Sequence, residues 1–233
     1  REEAKETVAD LVARTEERIM QHPLWAGLSE EELEEDAFEC LERYVTARLH
    51  TRIFAADLET RMRDGQLRMR ISRLRFITPD HLDITPAHRH PEAWEEAAAT
   101  LRRLSDKDTP LEKLEIVLLA AQQIHSAPGR NGVEDAICAD DFLPILVYVV
   151  LQANPPDLQS NIEFISSYRS RRRMGGEAAY FFTHLAGAVY FIETLDASRL
   201  SIDADLFDKL MAEEDENGYD FVAPAPPRAA SAA

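Results

Sequence analysis

The feature that most constrains the fold is the apolar run at residues 142–151, which follows two adjacent aspartates, Asp140 and Asp141. A run that is apolar on every side belongs either to a helix surrounded by other helices or to a strand buried on both faces. This run is longer than a typical strand, and its acidic start and Pro144, which we expect in the first turn, favour a helix. No other segment alternates with a period of two to provide sheet partners. The run therefore predicts a central helix in an all-α protein.

The first third of the chain has the pattern of a small helical bundle. Apolar residues recur at helical spacing in four stripes, at residues 8–19, 33–49, 53–62 and 67–74. Ser29 and Glu32 have the spacing of a capping box, which would begin the second helix. Gly65 is expected to separate the third helix from the fourth. Residues 1–79 are therefore predicted to form a four-helix bundle that packs on the layered helical domain after it.

The rest of the chain divides by composition. Residues 80–91 are rich in proline and histidine, which predicts a connector. Residues 92–212 have further helical stripes on both sides of the apolar run, and this segment is predicted to be the main domain. Residues 213–233 are first acidic and then rich in proline and alanine, so we predict a disordered tail.

The overall charge and composition exclude several classes of protein. The formal net charge is −17 at pH 7, which argues against binding to nucleic acid, because that binding depends on neutralising phosphates with Lys and Arg. No apolar stretch reaches the roughly 20 residues that a spanning helix needs, so we expect a cytoplasmic protein without intrinsic membrane insertion. The chain begins with Arg instead of Met, and we expect it to be part of a longer protein.

No segment predicts a cofactor or a metal site. The chain has no glycine-rich phosphate loop, and no serine lies in a nucleophile elbow. His88 and His90 have the spacing of metal ligands, but they lie in the connector without a nearby cysteine or a helical pair of acids. We therefore expect no bound nucleotide, no cofactor and no metal.

An ordered set of motifs in the second half of the chain carries a resemblance to a known family. In chain order the motifs are Asp140 to Pro144, Asn154-Pro155-Pro156, Ser160-Asn161, Gly176-Glu177, Tyr180 and Phe191-Ile192-Glu193. Together they resemble the VPS-nine (vacuolar protein sorting nine) domain, and in particular its Rabex-type members. Members of this family are guanine-nucleotide exchange factors for Rab-five-class GTPases. The resemblance implies that residues 92–212 are the catalytic domain.

The resemblance also assigns roles to four residues, for which the residues alone leave other interpretations open. It implies that Asp140 is a catalytic finger and that Tyr180 contacts the GTPase switch and supports the finger. It places Pro144 and Thr183 at the GTPase contact. From spacing alone, Asp140 would be an ordinary helix cap, as we expect for Asp141, and Tyr180 would be half-buried packing. From the residues alone, Pro144 would be structural, because proline shapes the start of a helix.

The function implied by the resemblance is nucleotide exchange without covalent chemistry. A carboxylate near the Mg²⁺ and phosphates of a GTPase would repel the phosphates and pair with the phosphate-binding lysine, which favours GDP release. The expected partner is a Rab-five-class GTPase in its GDP or nucleotide-free form. We expect endosomal or vacuolar trafficking, with peripheral recruitment to endosomal membranes through regions outside this sequence. The alternative is a helical adaptor that binds the GTPase without catalysis. The arginine-rich loop at residues 169–173 is predicted to be a solvated turn or a guide for an acidic partner or a membrane.

Overall fold

A computed structural model describes residues 2–126 and 137–216, and all regular secondary structure in those ranges is helical. The predicted all-α fold is confirmed. The α-helices are α1 (Glu2–Met20), α2 (Glu30–Glu32), α3 (Glu39–Ile53), α4 (Leu58–Arg73), α5 (Pro91–Leu101), α6 (Pro110–His125), α7 (Ala139–Ala153), α8 (Leu158–Tyr168), α9 (Gly176–Thr194) and α10 (Ala204–Glu216). A π-helical segment (Leu33–Phe38) joins α2 to α3. In the part of the chain described, no helix is long and apolar enough to cross a membrane.

The N-terminal helices differ from the sequence prediction at one point. The capping box before α2 is confirmed, because the Ser29 N–H donates to the Glu32 carboxylate at 2.7 Å and the Glu32 N–H donates to Ser29 Oγ at 3.2 Å. The predicted break at Gly65 is wrong, since α4 continues through it from Leu58 to Arg73, so a single helix replaces the third and fourth helices of the predicted four-helix bundle. An interior glycine costs a helix only about 1 kcal/mol, and the burial of Leu67 beyond it offsets that cost.

The central position of α7 is confirmed. Phe142, Ile145, Val149 and Leu151 are fully buried, because α5, α6 and α9 pack around this helix. One large apolar core contains α7 together with α5, α6, α9 and the buried side of α4. A separate small core lies under the π-helical segment and is centred on Phe38. The helix that begins with the two aspartates is therefore held rigidly on several sides.

Hydrogen bonds from α4 fasten the N-terminal helices to the later ones. The buried Asp64 carboxylate accepts the backbone N–H of Ser160 at 2.9 Å and also the Ser160 hydroxyl, at the start of α8. Arg70 Nε donates to the Ile192 carbonyl at 2.6 Å, and its Nη2 donates to the Leu195 carbonyl. Ile192 lies in the last turn of α9 and Leu195 is its C-cap residue, in the region where carbonyls lack the regular N–H partner four residues later. Thus α4 holds both α8 and the end of α9.

The arginine-rich loop at residues 169–173 also binds the N-terminal helices. Glu42 of α3, which is buried, accepts hydrogen bonds from Arg169 Nη1 at 2.8 Å, from Arg173 Nη2 at 2.9 Å and from the Ser170 N–H at 2.8 Å. The side chains of Arg169 and Arg173 are only 6% and 8% exposed. For these two arginines the prediction of a solvated turn is wrong, because their carboxylate partners on the N-terminal helices make burial possible.

The described residues include the start of the predicted tail and the whole of the predicted connector. The predicted tail begins too early, because α10 continues to Glu216. The rest of that tail lies outside the described residues. The connector is held by Arg89, which donates to the Ile84 carbonyl at 3.0 Å through Nε and forms an ion pair with Asp80.

Candidate functional site

The first turn of α7 places the two aspartates in different environments. Cys138 is the N-cap residue, so Asp140 and Asp141 are the second and third residues of the helix, and neither is the cap. The prediction that Asp141 caps the helix is therefore wrong. Its carboxylate instead accepts a hydrogen bond from Cys138 Sγ at 2.6 Å and lies 3.7 Å from Nδ1 of His88 in the connector. Asp141 thus links the start of α7 to the connector at residues 80–91.

Asp140 is exposed, and its carboxylate has no hydrogen bond or ion pair with any residue of 2–126 or 137–216. A negative charge in the first turn of a helix interacts favourably with the positive end of the helix dipole. The backbone of Asp140 is nevertheless fixed, because Phe142, two residues later, is fully buried in the large core. The result is a free carboxylate on a rigid helix start.

Pro144 lies inside α7, six residues after the N-cap, and not in the first turn as predicted. Proline has no N–H, so the carbonyl of Asp140, four residues earlier, has no helical donor at this position. Pro144 is partly exposed. Pro144 is therefore accessible beside Asp140 and also removes a hydrogen bond to the Asp140 carbonyl.

Tyr180 and Thr183 lie on the first two turns of α9 and are both exposed. They are three residues apart, so they share one face of the helix. The Thr183 hydroxyl donates to the Ala179 carbonyl at 2.9 Å, which leaves its oxygen able to accept a further bond. Tyr180 is 45% exposed, a large value for an aromatic side chain.

A cluster of rings connects Tyr180 to the start of α7. His184 makes an edge contact with Tyr180, with ring centroids 4.4 Å apart, and a second edge contact with Phe142 at 5.5 Å. Phe181 packs on Phe142 at 5.2 Å, and His125 of α6 stacks on the same ring at 4.7 Å. Burial lowers the pKa of His125. The structure thus brings α7 and α9 together at the ends that carry Asp140 and Tyr180.

Sequence reasoning identified Tyr180 but missed His184. The available signal was spacing, because His184 lies four residues after Tyr180 and therefore on the same side of the helix. Phe181, next to Tyr180, is buried in the core and offers no hydroxyl. In residues 2–126 and 137–216 no group of three or more His, Cys, Asp or Glu side chains could hold a metal ion.

Comparison with known proteins identifies the family to which this helical chain is related. The model of the Vacuolar sorting protein 9 (VPS9) domain matches residues 94–197. Over 208 residues the chain is 38% identical to Vacuolar protein sorting-associated protein 9A of Arabidopsis thaliana, a match covering 88% of this chain and 40% of that protein. The chain belongs to the VPS9 domain family. The resemblance seen in the motifs of this VPS9 chain is thereby confirmed.

Other relatives extend the match to the N-terminal helices. The chain is 33% identical over 216 residues to the Rab5 GDP/GTP exchange factor of Homo sapiens, which covers 91% of this chain and 43% of that protein. It is 34% identical over 212 residues to Vacuolar protein sorting-associated protein vps901 of Schizosaccharomyces pombe, with 86% of this chain and 36% of that protein covered. The chain therefore spans about two fifths of the length of these relatives.

Proposed function

We propose that this VPS9 chain accelerates GDP release from a Rab-five-class GTPase, with Asp140 as the residue that enters the Mg²⁺ and phosphate site. The observation that carries the proposal is the exposed carboxylate of Asp140, which lies on a buried helix and has no partner among the described residues. A relative that covers most of this chain has the name Rab5 GDP/GTP exchange factor, which supports the choice of partner.

In this proposal the carboxylate of Asp140 acts through its charge and its position, and no covalent bond is made or broken. A GTPase holds GDP through Mg²⁺ and a phosphate-binding lysine, and a carboxylate placed there competes for both cations. An ion pair at about 4 Å with an effective dielectric near 20 contributes roughly 4 kcal/mol before desolvation. Because about 1.4 kcal/mol corresponds to a factor of ten, a part of this energy supplies an acceleration of order hundreds.

The neighbouring residues have supporting roles in this proposal. Tyr180 and Thr183 contact the GTPase surface beside the nucleotide, and Pro144 borders the finger on α7. His184 and Phe142 keep Tyr180 in a fixed relation to Asp140 through the ring contacts described above. A rigid arrangement of this kind matters, because contacts that are already ordered cost less entropy on binding. The proposal includes a role in endosomal or vacuolar trafficking, with peripheral recruitment of the protein to membranes.

The test is release of a fluorescent GDP analogue from a purified Rab-five-class GTPase. The intact chain is expected to accelerate release, and Asp140→Ala and Asp140→Asn are each expected to lose about 100-fold or more. Asn keeps the size of Asp and removes its charge, so equal losses would identify the charge as the active feature.

Asp205→Asn is the matched control. Asp205 is also the exposed second residue of a helix that begins with Ala-Asp, so its substitution removes the same dipole interaction without touching the site. Its activity should remain that of the wild type. GTPase binding without faster GDP release would instead support the adaptor function. If Asp140→Asn unfolds the chain while Asp205→Asn does not, the role of Asp140 is structural.

A further inference from the structure

The exposed face of α9 continues beyond the two residues already assigned to the GTPase contact. Tyr180, Thr183, Gly187 and Tyr190 are all exposed. With 100° per residue, these four positions fall within an arc of about 80° on the helix surface. We call this set the α9 stripe. It is about 15 Å long from Tyr180 to Tyr190, at 1.5 Å per residue.

Gly187 is the unusual member of the α9 stripe. It lies in the interior of the helix, where glycine is destabilising by about 1 kcal/mol relative to alanine. Its backbone has no positive φ, and a Cβ added at this position would meet nothing within 4 Å. Neither backbone conformation nor packing within the described chain therefore requires glycine here. A bare helix surface is useful when another molecule approaches the backbone closely.

The two tyrosines on either side of Gly187 have the chemistry of a binding surface. Tyr190 is 66% exposed and Tyr180 is 45% exposed. Tyrosine is enriched at protein interfaces, because its ring provides apolar contact area and its hydroxyl provides a polar end. Glu177 and Glu193 are exposed at the two ends of the helix and give the surface an acidic rim. The α9 stripe thus has a tyrosine at each end, with an acidic side chain beyond each tyrosine.

A GTPase domain is wide enough to cover the α9 stripe while it contacts Tyr180, which favours the GTPase as the partner that binds this surface. A domain of about 150 residues has a radius of gyration of about 15 Å, so its width exceeds the length of the α9 stripe. A GTPase that contacts Tyr180 while Asp140 reaches its nucleotide site would extend over the neighbouring turns of α9. The stripe is continuous with that contact, because Thr183 and Gly187 follow Tyr180 at successive turns on one face.

We propose that the α9 stripe is an extension of the GTPase-binding surface, with the GTPase seated against the bare backbone at Gly187 and against the ring of Tyr190. The proposal rests on the proposed function for the identity of the occupant. It assigns to Gly187 and Tyr190 a part in affinity, whereas Asp140 acts on the rate of GDP release.

Substitutions at Gly187 separate binding from folding, because they improve the helix. Gly187→Ala is expected to raise Tm by about 2–4 °C, and Gly187→Gln is expected to leave Tm unchanged or higher. The Gln side chain occupies the space that the proposal gives to the GTPase. Exchange kinetics with Gly187→Gln should therefore show a KM for the GTPase raised about tenfold with the maximal rate retained. Tyr190→Ala should raise KM similarly.

Ala99→Gln in the last turn of α5 is the control, since it adds the same side chain at another exposed helix position, and it should leave KM unchanged. An unchanged KM in Gly187→Gln, with a wild-type chain that accelerates GDP release, would overturn the α9 stripe and leave the proposed function intact. If the wild type binds the GTPase without exchange, weaker binding by Gly187→Gln would retain the surface and reject the function. No binding at all would reject both. Sedimentation showing that Gly187→Gln dissociates a wild-type dimer would assign the stripe to a second copy.

Discussion

Substitution of Glu42 tests how much the contacts between the N-terminal helices and the arginine-rich loop contribute to stability. The Glu42 carboxylate is at the centre of these contacts. It is 3% exposed and accepts three hydrogen bonds from the loop at residues 169–173, two of them from guanidinium groups. Burial lowers the pKa of Arg169, but hydrogen bonds and charges from Glu39 and Glu42 outweigh that effect and raise it. Both arginines therefore stay charged, and each needs its carboxylates.

The expected cost of Glu42→Ala follows from these contacts. Each hydrogen bond to a charged group contributes about 1.5–3 kcal/mol, which gives a gross loss of roughly 5–9 kcal/mol for three. The net loss is smaller, because Arg169 keeps Glu39 at 2.6 Å and Arg173 keeps Glu34 at 2.8 Å. We expect a decrease of about 3–5 kcal/mol in the free energy of unfolding, which is typical of removing one partner from a buried ion pair.

Urea unfolding at equilibrium, followed by far-ultraviolet circular dichroism, measures this loss. Glu35→Ala is the control, since Glu35 is an exposed glutamate of the π-helical segment and should change stability by less than about 0.5 kcal/mol. A Glu42→Ala variant that loses less than about 1 kcal/mol would refute the reasoning. It would mean that the ion network is no more stabilising than the hydration that it replaces.

Two further predictions concern Asp64 and His184. Burial raises the pKa of Asp64 to about 6 from 3.8, so the native state holds a proton that the unfolded state releases, and stability falls as pH rises from about 4 to 6. Urea unfolding at pH 4.5 and pH 7 should show a steeper loss for the wild type than for Asp64→Asn; parallel losses would contradict this. His184→Ala should slow GDP release about tenfold while Tm stays within a few degrees, because Tyr180 loses its ring contact with α7; an unaltered release rate would show that His184 is dispensable.

The helices were predictable because their apolar faces repeat along the sequence. The central position of α7 followed from an unbroken apolar run, and the start of α2 from the Ser29 and Glu32 pair. Gly65 misled the prediction, since local propensity is weak compared with the burial of the side chains around it. Lys113 was not predictable at all. Its charge suggests the surface, yet it is fully buried, where it donates to Asn161 at 2.6 Å and lies over the Phe54 ring.

The candidate site was predictable only as far as chain order carries information. The motif order singled out Asp140 and Tyr180, but no pattern in sequence shows that α7 and α9 meet through the rings of His184 and Phe142. The pairing of Arg173 with Glu42 joins residues far apart in the chain, and neither segment alone indicates the other. Such contacts depend on tertiary packing, which periodicity does not encode.

The hydrogen bonds from Arg70 to the end of α9 have a consequence for how inherited variants of this protein should be interpreted. The stretch by which the family is recognised, residues 94–197, includes Tyr180 and the whole of α9. It excludes the guanidinium group that holds the last carbonyls of that helix and the carboxylate of Asp64 that holds α8. Harmful substitutions can therefore fall well before the recognised domain, at positions that a census of family motifs would pass over as neutral.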